Sequence, residues 1–295
     1  MLEKIKIIDS RIEKLYSMLT SCELCPRRCR VNRIKGEKGV CRAEKELVVS
    51  SYGPHFGEEP ELVGMYGSGT IFLTYCNLLC VYCQNYDISH LGIGDPISEE
   101  KLAYIMLSLQ KMGCHNINLV TPTHFTPHIV RAIRYALEKG MKIPIVWNCS
   151  GYENFEVIRQ LEGIVDIYMP DIKYGDSEPA KKYSNAPDYF ERCQEAVEEM
   201  YRQVGDLKIN SKGVAEKGLL IRHLVLPNNL AGSEKVLKFI AGISKNTYVN
   251  IMDQYRPCGN ADLYPEINRR PTREEFREVI KIAMSLGLHR GFEII

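Results

Sequence analysis

Residues 72–87 read FLTYCNLLCVYCQNYD and place Cys76, Cys80 and Cys83 in the spacing C-x3-C-x2-C. Three thiolates within eight residues, just after an apolar β-branched run, can hold three corners of a cubane iron–sulfur cluster. A fourth cysteine would complete a cluster suited to electron transfer. Its omission keeps one iron open to another ligand. A disulfide would strand one of the three. A catalytic zinc also pairs three protein ligands with an open position, but mostly in sets that contain histidine.

A second group, Cys22, Cys25, Cys29 and Cys41, has the spacing C-x2-C-x3-C-x11-C within CELCPRRCRVNRIKGEKGVC. Four thiolates in a polar segment read as a closed tetrahedral site, either zinc or a second 4Fe–4S cluster, and spacing alone does not separate the two. The segment is rich in Arg, Lys and Gly, so it cannot bury much core and needs another source of order. The other four of the eleven cysteines are scattered. Cys114 and Cys193 read as small buried hydrophobes, and Cys149 falls near the expected pocket. Cys258 lies in YRPCGNADLYPEINRRPT, a loop that could cover the open edge of a sheet. A thiol there could donate a hydrogen atom to a substrate radical, although an inert loop cysteine is the plainer reading. His115, His124 and His128 are too scattered for a metal set, with His124 placed to line a pocket. Trp147 ends a strand run and reads as packing.

The elements that must position these groups are legible in outline. Ile5, Ile8, Ile12, Leu15 and Leu19 recur at helical spacing, so the chain opens with an amphipathic helix. The stretch ELVVSSYGPHF is strand-like. From Gly69 onward, short apolar runs (TIFLTY, NINLVT, IPIVWN, VDIYMPDI, LLIRHLVL, TYVNIM) alternate with helical patterns. The helices are expected to begin near Ser98, Thr126, Glu153, Asp188, Ser233 and Thr272. Such alternation indicates a parallel sheet of βαβ units. Six units fall short of a closed (β/α)8 barrel, so the fold expected is α/β, a partial (β/α)6 TIM-like barrel over residues 46–295. Residues 1–45 would form a small N-terminal Cys-rich module. Residues 205–218 read as an exposed loop or small hairpin.

Cys76, Thr121 to Thr123, Asn148 to Ser150, Asp171, Lys173 and Gln254 all follow strand runs at their C-terminal ends. Ligands bind at that edge in barrel and open parallel folds, so these positions should converge. Asp171 and Lys173, two apart, share one face of a strand. The alternative for them is a surface ion pair. The net charge of +1, with 45% hydrophobic and 25% charged residues, gives no basic field for nucleic acid or an anionic membrane. No apolar run is long enough for a bilayer span, and the charged N-terminal segment has no signal-peptide core. A cytoplasmic protein without a membrane partner is expected.

The motif C-x3-C-x-aromatic-C after the first strand of a six-unit α/β sheet resembles the radical S-adenosylmethionine (radical SAM) superfamily. The longer segment CNLLCVYCQNYD is similar to the pyruvate formate-lyase activating enzyme branch, and to uncharacterised relatives of it with cysteines ahead of the main motif. The resemblance implies that Cys76, Cys80 and Cys83 ligate a 4Fe–4S cluster whose open iron is chelated by S-adenosylmethionine. One electron from the cluster would then cleave the sulfonium C–S bond, and the resulting 5′-deoxyadenosyl radical would remove a hydrogen atom from substrate. The protein would position reactants and exclude competing reactions.

Other positions carry over one at a time. Tyr82 and Asn85 match residues near the adenine, with simple packing as the alternative for Tyr82. TPTH, residues 121–124, stands where the family has a Gly-Gly-Glu type motif for the methionine ammonium. Thr121 and Thr123 could still accept from that pure donor. WNCSGY and PDIKYGD align with family segments whose acidic groups help hold a cation beside the S-adenosylmethionine carboxylate. Asp171 and Lys173 fit, but Asn148 replaces an aspartate. Ser150, Arg222 and Gln254 complete the expected cofactor contacts. The implied activity is activation of a glycyl-radical enzyme partner, fed by a low-potential donor such as flavodoxin or ferredoxin. A radical modification of a small molecule or RNA base is the alternative within enzymes. A metal-binding scaffold without turnover is the alternative outside them.

Overall fold

A computed structural model describes residues 2–293. Helix α1 (Leu2–Ser17) turns Ile8, Ile12 and Leu15 inward, as the i, i+4, i+7 spacing requires. These side chains join the main core, and α1 packs on α5 (Thr126–Glu138). The polar segment that follows has one 3₁₀ turn, Arg33–Lys35, and a small apolar cluster of Leu19, Cys22, Leu24 and Val157.

The strands are β1 (Leu47–His55), β2 (Ser68–Leu73), β3 (Asp95–Ile97), β4 (Ile117–Val120), β5 (Ile145–Cys149), β6 (Ile167–Pro170), β7 (Lys208–Ile209), β8 (Ala215–Leu224) and β9 (Tyr248–Met252). β2, β4, β5, β6, β8 and β9 form a parallel run in sequence order. β5 and β6 are buried along their whole length, which is why they read as continuous apolar runs. β1 and β3 extend the β2 edge with antiparallel pairing. β7 folds back on the first half of β8, so residues 205–218 include a small hairpin.

Helices α4 (Glu99–Lys111), α5, α6 (Phe155–Gln160), α8 (Tyr189–Val204), α9 (Ser233–Ile243) and α10 (Arg273–Ser285) connect and flank the strands, giving a partial (β/α)6 barrel. Ser98 caps α4, and Thr272 with Glu275 forms a capping box on α10. α6 begins two residues later than Glu153. Asn154 caps it, while Glu153 turns into the interior. Three short helices, α2 (Pro60–Val63), α3 (Tyr86–Ser89) and α7 (Ser177–Ser184), have no counterpart in the sequence pattern. Among the described residues no helix is long and apolar enough to cross a membrane.

Candidate iron–sulfur and cofactor site

The chain leaves β2 and bends around its three cysteines. Tyr75 and Leu79 take left-handed conformations, φ 70° and 54°, each costing roughly 1–2 kcal/mol for a residue with a Cβ. Strain of this kind persists where surrounding contacts hold it, characteristically at functional sites. Each sulfur then accepts one hydrogen bond. The Leu78 amide donates to Cys76 at 3.3 Å, the Ser184 hydroxyl to Cys80 at 3.1 Å, and the Ser89 hydroxyl to Cys83 at 3.2 Å. Tyr174 lies 2.8 Å from the Ser184 oxygen. The single serine proton is directed at sulfur, so Tyr174 is the donor to Ser184. Desolvation, then the neighbouring Cys80, pushes the Cys76 thiol up to about 12. Burial also raises Cys80, against the pull of Lys173. The bare Cys76 and Cys80 thiols stay protonated at neutral pH, and a bound metal must displace those protons.

A cavity of about 250 Å³ opens over this loop. Cys76, Cys80, Cys83, Tyr82 and Asn85 line one wall. Thr121 after β4, Asn148 and Ser150 at β5, Asp171 and Lys173 after β6, Arg222 on β8 and Gln254 after β9 line the rest. The parallel strands therefore deliver residues from six sequence segments to one edge, as strand polarity dictates. Thr121 is left-handed, φ 58°, and its amide donates to the Asn148 carbonyl at 2.8 Å. Among the described residues the buried Ser150 hydroxyl has no hydrogen-bond partner. Tyr189 ties the next loops together. Its hydroxyl lies 2.8 Å from both the Ser150 and Asp171 carbonyls and accepts the Lys173 amide at 2.9 Å.

A charged network forms the floor. Arg222 Nε donates to Asp171 Oδ1 at 2.7 Å, Nη2 to Asn148 Oδ1 at 2.8 Å and Nη1 to Glu58 Oε2 at 3.2 Å. Lys173 Nζ donates to the other Asp171 oxygen at 2.7 Å. Burial would raise the Asp171 carboxyl, but Arg222 and Lys173 outweigh it and hold the group below its usual range. Lys173 stays above the ordinary lysine value, because the Asp171 charge outweighs desolvation. The pair is thus no surface ion pair: both side chains are largely buried. Glu58 and Glu59, which the sequence reading missed, stand on the far side of Arg222. Glu59 Oε1 accepts from Asn250 at 2.9 Å. No short motif marks them, since they lie 164 and 163 residues from their arginine.

Several expected residues stand elsewhere. Thr123 is fully buried away from the cavity and donates to Glu153 Oε1 at 2.7 Å. The left-handed Thr121 redirects the chain, so only the first threonine faces the cavity. His124 is also buried behind it, 2.7 Å from the Thr74 carbonyl through Nε2. Cys258 does not line the cavity. Its loop instead presses on the cysteine loop, the Asn260 amide donating to the Val81 carbonyl at 2.8 Å. Tyr82 is buried among Tyr174, Tyr183 and Tyr255, so packing accounts for most of its surface. Gln254 contacts the Met252 sulfur at 3.2 Å. Cys149 lines the cavity, while Cys114, Cys193 and Trp147 are buried in the core.

In the N-terminal group, Cys22, Cys25 and Cys41 are buried and Cys29 is half-buried. The Val40 amide donates to the Cys29 sulfur at 3.3 Å. The Cys25 thiol is pushed up by burial first and then by the neighbouring Cys41, with Cys22 and Cys29 adding to it. Among the described residues, no three His, Cys, Asp or Glu side chains crowd closely enough to share a single metal ion.

Residues 70–213 match the family model of the Radical SAM superfamily. An uncharacterized protein of Methanocaldococcus jannaschii is 34% identical over 292 residues, covering 97% of this chain and 80% of the relative. A crystal structure of a radical SAM methyltransferase from Sphaerobacter thermophilus superposes with a TM-score of 0.51 at 14% identity. That superposition covers 75% of this chain and 64% of the other, so the chain spans less than two thirds of that structure. At that identity the likeness is one of fold.

Proposed function

We propose that this chain, which belongs to the radical SAM superfamily, binds S-adenosylmethionine in the cavity over Cys76, Cys80 and Cys83 and uses it to take a hydrogen atom from a glycyl-radical enzyme. These three thiolates would hold a 4Fe–4S cluster, which when bound would supply the electron for reductive cleavage of S-adenosylmethionine. The observation that carries the cofactor reading is the convergence in one cavity of three hydrogen-bonded thiols with Asp171, Lys173 and Arg222. The donor set fits the cluster: three sulfurs, each with a single hydrogen-bond donor, leave one corner for a non-protein ligand.

The residues divide the work by chemistry. Lys173 and Arg222 supply cationic donors for the cofactor carboxylate. Thr121 and Ser150 offer oxygens to its ammonium. Asp171 holds Lys173 and Arg222 in position by accepting from both. The apolar rim of Leu224, Met252 and Tyr255 shields the reacting atoms from water.

The glycyl target rests on the similarity of CNLLCVYCQNYD to the activating-enzyme branch. A second reading, a small cationic substrate, is favoured by another cavity near β9, lined by Glu59, Asp253 and Glu293. There the 5% exposed Glu59 has one carboxylate oxygen without a partner among the described residues. The test is deuterium transfer. A glycyl-radical enzyme from the same source, labelled with deuterated glycine, should yield deuterated 5′-deoxyadenosine on incubation with the reduced protein. Unlabelled product from that mixture would remove the glycine reading and favour the small-molecule one.

A further inference from the structure

We propose that the surface formed by Lys35, Lys38, Val40 and Arg42 together with the turn at Leu91 and Ile93 docks an acidic one-electron carrier protein, which reduces the centre at Cys76, Cys80 and Cys83 from that side. The proposal rests on the reading of those three cysteines as ligands of a reducible cluster.

The chain's net charge of +1 conceals an uneven distribution. Residues 22–45 hold eight Lys and Arg against three Asp and Glu, a local excess of +5, so the rest of the chain is acidic on balance. Lys35, Lys38 and Arg42 are exposed. Lys38 shares its charge with Glu44 at 2.7 Å, and Asp87 and Asp95 flank the turn, yet the excess stays positive. A field of this kind steers an oppositely charged protein and raises its encounter rate at low salt.

Apolar surface lies beside this charge. Leu91 is 63% exposed, Ile93 57% and Val40 43%. Arg42 joins the two segments, its Nη1 donating to the His90 carbonyl at 2.7 Å. Aliphatic side chains bordered by cations match the anatomy of a protein interface, an apolar centre within a polar rim. A surface for single-stranded nucleic acid would instead offer exposed aromatic rings for bases to stack on.

The turn leads directly to the cysteines. Ser89, one residue ahead of His90, donates to the Cys83 sulfur at 3.2 Å. The Tyr75 amide donates to the Ile88 carbonyl at 3.0 Å, and the Thr74 hydroxyl to the Ile93 carbonyl at 3.3 Å. The turn is thereby sewn to the two residues ahead of Cys76. Gly92 has room for no Cβ, which would stand 2.6 Å from the Tyr75 ring. An electron entering at Leu91 therefore reaches a ligand sulfur through two more residues and one hydrogen bond. None of the six docking residues lines the cavity, so a seated carrier leaves it to cofactor and substrate. In the step itself the carrier loses one electron and the centre gains it, and no bond or proton moves.

The test measures binding and reduction separately, with a fluorescently labelled acidic flavodoxin as the probe. Wild type should bind it at low salt and lose about tenfold in affinity or more at high salt. The double variant Lys35→Glu, Lys38→Gln should lose about tenfold at low salt and most of the salt dependence. Leu91→Ser, which leaves the charge untouched, should weaken binding at both salt levels. Anaerobic stopped-flow reduction of the centre by the flavodoxin should slow in step with binding, while dithionite-driven formation of 5′-deoxyadenosine stays at the wild-type rate. Wild type that does not bind the flavodoxin, or binding indifferent to these substitutions, would overturn the proposal. Tighter binding of a single-stranded RNA would overturn it too, by giving the surface to nucleic acid. An equal loss with dithionite would mean that the substitutions disturb the site itself, and would also overturn it. Wild type that binds the flavodoxin as described but shows no reducible centre would instead sink the reading of the three cysteines. The binding arm needs no loaded cluster, and the salt dependence of wild type needs no variant.

Discussion

The Ser184 hydroxyl donates to the Cys80 sulfur at 3.1 Å across 104 residues of sequence. A hydrogen bond to a thiolate stabilises the more negative, reduced state of a bound cluster. Ser184→Ala should therefore move the reduction potential of the catalytic cluster to more negative values, by tens of millivolts, while iron content stays unchanged. A potentiometric titration followed by electron paramagnetic resonance reads the shift. An unchanged potential would show that the contact does not tune the cluster.

Arg222 stands among Asp171, Glu58 and Glu59 in the interior. Arg222→Met keeps most of the volume but leaves buried carboxylates without their cation. Breaking a buried pair from one side costs about 3–5 kcal/mol. Urea unfolding of the metal-free protein should show a loss of this size, with Arg222→Lys partly restoring it. A loss below about 1 kcal/mol, typical of surface pairs, would mean that the network is wetter than its burial implies.

Lys173 points at the same cavity with one of its donors already on Asp171. Lys173→Met should weaken S-adenosylmethionine binding by about tenfold to a hundredfold, the worth of a charged hydrogen bond. Equilibrium dialysis against the cluster-loaded protein measures it. Equal affinity would place the cofactor carboxylate elsewhere.

The three-cysteine loop stood out because its cysteines lie within eight residues, and the six parallel strands were legible because burial on both faces writes continuous apolar runs. Helix starts at Ser98 and Thr272 were legible because capping is local chemistry. The partners of those elements were not. Glu58 and Ser184 reach Arg222 and Cys80 only through the folded topology. Nothing in TPTH reveals that Thr121 is left-handed, and that one dihedral decides which threonine meets the cavity. Arg27 read as part of a basic loop, although its guanidinium is spent on carbonyls of the catalytic loop and of Ser184.

Glu153 is buried beside Thr123, and desolvation pushes its carboxyl up to about 8. The unfolded chain releases this proton near pH 4.5, whereas the fold retains it to about pH 8. Stability therefore declines as pH rises between those values, by about 1.4 kcal/mol per unit. His128 and His223 oppose this on the acid side. Burial lowers both to about 4, so the stability they contribute is full above pH 6.5 and is lost as pH falls toward 4. Glu153→Gln should flatten the decline between pH 6.5 and 8, a gain of about 2 kcal/mol at the upper end. Urea melts of wild type and variant across that range check it, and parallel curves would contradict the buried neutral acid.

The central claim is that three cysteines and one open cavity cleave S-adenosylmethionine by one-electron reduction. The direct measurement is 5′-deoxyadenosine formed from S-adenosylmethionine by anaerobically reconstituted, dithionite-reduced protein. Wild type should form it over many minutes, Cys80→Ala should form none, and Cys25→Ser should retain some turnover. Wild type that carries its iron, binds S-adenosylmethionine and forms no 5′-deoxyadenosine would contradict the account.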